Sequence, residues 1–235
     1  MQPVYITIFS FSGGYNFLNG QVCREFRMLT PRTDGLDHLE QLIKDGRKPD
    51  SLCCSERLLE RAVERELFCV IEESCRELQA RFKSLQLSFE GNLCKIATKK
   101  GKVKVLNWAC ENGFYCDASI CEEAANYGHL EVLKWGKDKG YQWGVTTCLY
   151  ACSNGHLEIL KWVVDGGQKL VHWFFSNAAS GGHIHILEWL KEELVSRGKI
   201  LSQGDRTSYS KLAYHNAVYH GHKETALWLE KNGFC

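Results

Sequence analysis

From about residue 89 onward the apolar residues fall into short blocks separated by glycine-bearing polar breaks, and the blocks alternate between two kinds. In the first kind, small or apolar residues stand three and four apart, as Cys148, Ala151 and Cys152 do. That spacing lays one stripe along a short helix, which Thr146 or Thr147 can cap and which runs to about Ser153, where Asn154-Gly155 ends it. In the second kind, Leu157, Ile159, Leu160, Trp162 and Val163 are too many for one narrow stripe, as expected of a helix packed between neighbours. This helix begins near His156, and Gly166-Gly167 supplies the positive-φ stop. Each pair of blocks predicts a helical hairpin, and the chain is expected to be all-α.

The pair repeats. Gly-His-Leu-Glu-(Val/Ile)-Leu-Lys-Trp occurs at Gly128 to Trp135 and at Gly155 to Trp162, with weaker copies starting at Gly101, Gly182 and Gly221. Gly101, Gly128, Gly155 and Gly182 are 27 residues apart, and Gly221 follows after one period plus a 12-residue insertion around Lys199 to Ser210. Ala97, Ala124, Ala151, Ala178 and Ala217 keep the same register, as do Trp108, Trp135, Trp162, Trp189 and Trp228. Five copies between 89 and 235 predict a solenoid whose units are stabilised by stacking on one another. The small Ala permits close approach of the first helices, while a Trp buried between layers would cover roughly 150–250 Å² and contribute several kcal/mol. Gly198 and Gly204 mark the insertion as an exposed connection.

The run Thr146-Thr147-Cys148-Leu149-Tyr150-Ala151-Cys152-Ser153-Asn154-Gly155-His156-Leu157-Glu158-Ile159-Leu160-Lys161-Trp162 resembles an ankyrin repeat, with Thr147 where that family's Pro would stand. The unit is shorter than the family's, which is about 33 residues. The resemblance therefore implies stacked helix pairs with shortened or absent β-turn fingers. The Trp-rich, 27-residue form looks like the divergent ankyrin proteins of brown algae, oomycetes and large DNA viruses.

Upstream, Asp37 to Gly46 reads as the second helix of a decayed unit, and Leu58 to Glu72 can be laid on another through Ala62, Val70 and Ile71. Residues 31–88 are thus expected to hold degenerate helical repeats. Residues 1–30 depart from the pattern and form either an N-terminal helical cap or a segment similar to an F-box, through Val22-Cys23-Arg24 with Phe26 and Arg27 after it. The usual Leu-Pro opening of an F-box is missing.

Charge and cysteines narrow the function. A net charge of +1 gives no electrostatic footprint for nucleic acid. No apolar run is long enough to span a bilayer, and Met1 to Phe11 lacks the features of a secretory leader, so an intracellular protein, cytoplasmic or nuclear (in a host cell if viral), is expected. Twelve cysteines would suggest a disulfide scaffold in a secreted chain, but Cys94, Cys121 and Cys148 stand 27 apart at one core position, where a thiol serves as a small hydrophobe. His129, His156, His183 and His222 recur at the start of the second helices, which argues for a structural task such as hydrogen bonding between adjacent turns. His183-x-His185 and His220-x-His222 have the spacing of metal half-sites but no ligand set around them, and phosphate-loop, zinc-helix and nucleophile-elbow motifs are missing. Neither an enzyme, a metal nor a cofactor is expected.

What remains is a monomeric scaffold that binds a partner polypeptide on positions that vary while the framework recurs. Lys99, Glu123, Asn126, Tyr127, Tyr150, Ser153 and Asn177 occupy such positions, with Tyr127 and Tyr150 as aromatic anchors. If residues 1–30 act as an F-box, the chain would instead be a substrate adaptor that joins a Skp1-like protein of a ubiquitin ligase.

Overall fold

A computed structural model describes residues 35–46, 55–84, 92–117, 119–171, 173–196 and 203–234. The segment 1–30 lies outside them. Thirteen helices and no strand occur among the described residues. The chain divides into two compact units, the first taking residues up to 97 together with 104–115, the second taking 98–103 and 116–235.

In the first unit, α1 (Gly35–Lys44) packs on α3 (Phe68–Ser84), as does α2 (Glu56–Arg65); α4 (Asn92–Lys99) and α5 (Val103–Glu111) lie mostly in this unit. Ser55 caps α2, its Oγ accepting from Leu58 N at 3.2 Å, and Leu59, Ala62 and Val63 form the buried stripe. The chain leaves α2 through Glu66 at φ +59°, with Leu67 N donating to Ala62 O at 3.0 Å. The start of α3 is satisfied from another helix. The buried carboxylate of Glu40, on α1, accepts from Cys69 N (3.3 Å) and Val70 N (2.9 Å). Free amides at a helix start favour an anion.

The second unit is four helix pairs: α6 (Ser119–Tyr127) with α7 (Leu130–Asp138), α8 (Val145–Ser153) with α9 (Leu157–Asp165), α10 (Trp173–Ser180) with α11 (Ile184–Ser196), and α12 (Gln203–Tyr219) with α13 (Lys223–Lys231). The first helices stack in sequence, α6 on α8, α8 on α10 and α10 on α12. Their contact is made by the expected small residues, Cys121, Ala124, Cys148, Ala151, Cys152, Ala178 and Ala217, all buried. Val132, Leu133, Ile159, Leu160, Ile186, Leu187 and Leu229 bury the inner side of the second helices. The link from α7 to α8 is only residues 139–144, with no β-hairpin finger.

Each first helix ends in the same way. The backbone N–H of His129, His156, His183 and His222 donates to the carbonyl of Ala124, Ala151, Ala178 and Ala217, at 2.8–2.9 Å, across a glycine in the left-handed region. This six-to-one closure fixes the five-residue interval from Ala to His that the sequence repeats.

Four expectations need correction. The cap of α8 is Gly144, one residue before Val145, and makes no side-chain bond; Thr147 is instead buried in the helix. Among the repeat tryptophans only Trp135 is buried, while Trp108, Trp162, Trp189 and Trp228 are half-buried. Three of them pack on an aromatic six residues later: Trp108 on Phe114, Trp135 on Tyr141 and Trp228 on Phe234, with centroids 5.9–6.1 Å apart. Within the insertion, residues 203–210 belong to α12, so Gly204 stands in the first turn of a helix and not in an exposed connection. Cys94, last, is engaged in a disulfide, whereas its repeat equivalents Cys121 and Cys148 are free and buried.

Candidate interaction surface

The recurring histidines join one hairpin to the next. His129 Nε2 lies 2.9 Å from Lys99 O, His156 Nε2 3.2 Å from Asn126 O, and His183 Nε2 3.1 Å from Ser153 O. A carbonyl can only accept, so Nε2 carries the hydrogen in each ring. Every acceptor is the same register position, the carbonyl near the end of the preceding first helix, which has no partner inside its own helix. The rings lie against the glycines: a Cβ added to Gly101, Gly128, Gly155 or Gly182 would stand 2.6–2.8 Å from an atom of His129, His156, His183 or His222. Glycine is needed there twice over, for its positive φ and for the space the ring fills. Burial first, and then the charges of His185, His156 and His222, hold the His183 imidazole below its usual pKa against the opposing bond to Ser153.

With the framework tied in this way, the first helices present a row of side chains whose identity changes from unit to unit. Tyr127 and Tyr150 are each 40 % exposed, and Trp173, at the start of α10, is 49 % exposed. The expected positions do not form one cluster. Glu123, Asn126 and Tyr150 come together in a cleft between α6 and α8, completed by Ser119 and Glu122. Lys99 pairs instead with Tyr127, its Nζ 5.6 Å from the ring centroid. Ser153 Oγ is turned back to Tyr150 O at 3.2 Å, and the Asn177 amide donates to Trp173 O at 2.8 Å. These last two hold their own helices and leave the cleft to the other three.

Residues 121–164 match a family described as ankyrin repeats (many copies). That segment consists of ankyrin repeats. No curated protein matches the sequence. Ankyrin repeats as a class are protein-interaction modules without catalytic activity of their own. Among the described residues no helix is long and apolar enough to cross a membrane.

Two features of the surface are not foreshadowed by the repeat. Trp173 stands two periods after Ser119, a place on the first-helix row, yet it falls outside the tryptophan register. Trp143 also falls outside it and packs on Trp162 at 4.8 Å, with Lys137 Nζ 5.4 Å from both rings. A tryptophan off the repeat register was the signal available for both.

Proposed function

We propose that this ankyrin protein is an interaction scaffold that holds a partner polypeptide along its first-helix row, chiefly on α6 and α8. The observation that carries this reading is the separation of roles within one short helix. In α8, Cys148, Ala151 and Cys152 are buried while Tyr150 is 40 % exposed; in α6, Cys121, Ala124 and Ala125 are buried while Tyr127 is 40 % exposed. Large aromatics half-open on a rigid frame are the usual anchors of an interface. The second helices offer another kind of surface, on which Lys134 pairs with Glu131 and Lys161 with Glu158, a solvated and self-neutralised face.

The partner is intracellular in this reading, and the scaffold acts as a monomer. Affinity capture from cell extract tests it. The doubly substituted chain Tyr127→Ala, Tyr150→Ala should keep its helical circular dichroism and lose the partner that the unaltered chain retains. Equal capture by both chains would overturn the assignment to this row.

A further inference from the structure

Within the second unit the carboxylates of α6 stand apart from those of the second helices. Glu131 and Glu158 each have a lysine one turn on, at 2.7 and 3.2 Å. Among the described residues Glu122 and Glu123 form no ion pair, although both are half-buried and both line the cleft with Tyr150 and Asn126. A cation brought to a half-buried carboxylate gains more than it would on an open surface.

The Tyr150 ring points to which cation. The fold covers three other aromatics of this unit with its own lysines, Lys99 over Tyr127 and Lys137 over Trp143 and Trp162. No cation among the described residues lies over Tyr150, which remains 40 % exposed. A planar guanidinium stacks on a tyrosine face while its N–H fork addresses carboxylates at its edge, which an ammonium does less well. The cleft thus combines a free aromatic face, two unpaired carboxylates and an amide acceptor, Asn126 Oδ1, already used by Asn154 at 3.1 Å. We infer that the cleft between α6 and α8 is the seat of an arginine side chain of the partner polypeptide, stacked on Tyr150 and paired with Glu122 and Glu123.

This inference rests on the proposed scaffold role and narrows it to a partner segment that carries arginine. The test is an NMR titration of the full chain with N-acetyl-arginine amide, read on backbone amides, beside N-acetyl-lysine amide and N-acetyl-citrulline amide. Arginine should shift residues 119–126 and Tyr150 in a saturable way, lysine more weakly, and citrulline, which keeps the shape without the charge, not at all. In Glu122→Gln, Glu123→Gln the arginine affinity should fall at least about tenfold with the spectrum otherwise unchanged. Absent or scattered shifts, an equal response to citrulline, or full affinity in the double variant would each overturn the arginine seat. If Tyr127 and Tyr150 remain necessary for partner capture while arginine causes no shift, this inference alone fails; if capture ignores both tyrosines, the scaffold reading fails as well.

Discussion

His156 donates from Nε2 to the carbonyl of Asn126, 3.2 Å away and one hairpin earlier, while its ring fills the space a side chain at Gly128 would need. The same arrangement joins His183 to Ser153 over Gly155, and His129 to Lys99 over Gly101. The bond that links two units and the glycine that ends the first helix are therefore one device, and substituting either partner disturbs the other.

Gly155→Ala places a Cβ 2.8 Å from the His183 ring and forces alanine to φ +82°. The backbone strain and the displaced hydrogen bond together should cost about 2–3 kcal/mol. His183→Ala alone should cost about 1 kcal/mol. In urea unfolding the two losses should fall short of additive, because removing the ring also removes its clash with the new methyl. Strict additivity would mean that glycine and ring do not share the site.

The bond made by His183 should also respond to acid. Burial lowers the His183 pKa from its ordinary 6.5, so the unfolded chain takes up a proton before the folded one does. Its stabilising contribution is complete above about 6.5 and is lost as pH falls toward the lowered folded value. The melting temperature of the chain should decrease from pH 7.5 to pH 5.5, and His183→Gln, which still offers an N–H to Ser153, should decrease less steeply. A parallel decline in both proteins would remove His183 from the account.

Glu40 also loses its contribution in acid, over a lower pH range. Burial alone would raise its pKa, but the amides of Val70 and Cys69 and the ammonium of Lys44 bring it below the ordinary carboxylate value. Stability from this cap is present above the unfolded pKa of about 4.5 and disappears as pH falls through the lowered folded one. Glu40→Ala at neutral pH should destabilise the first unit by about 1–2 kcal/mol, visible as faster hydrogen exchange at Cys69 and Val70. Unchanged exchange at these amides would show that the carboxylate does not cap α3.

Burial raises the Cys121 thiol to about 11 and the Cys148 thiol to about 12, and Cys152 is raised as well. Almost no thiolate exists at neutral pH, so these three should resist iodoacetamide in the native chain and react at once in urea, as read by peptide mass spectrometry. Rapid native labelling at any of them would show that these thiols are not held in a closed core.

The framework could be read in the sequence because each of its parts repeats. Ala151, Gly155 and His156 keep fixed intervals since one hydrogen-bonded turn and one bond between hairpins require them, and a period exposes such constraints without a structure. Trp162 misled for a related reason: its register was visible, but its partner Trp143 does not repeat. The insertion misled because Gly198 and Gly204 signal a loop locally, whereas stacking on α10 extends α12 over residues 203–219. At the cleft, the candidates Glu123, Asn126 and Tyr150 could be named from their variability. Their convergence, with Glu122 beside them, arises from the packing of α6 against α8, which no single unit encodes.

The central claim is that the partner lies on the first helices and not on the second. Site-directed photocrosslinking decides it most directly, with p-benzoylphenylalanine introduced at position 150 on α8 or at position 158 on α9 of the full chain. The account predicts a partner adduct from position 150 and none from position 158. An adduct from position 158 alone would contradict it, and the surface of self-paired lysines and glutamates would then be the one that binds.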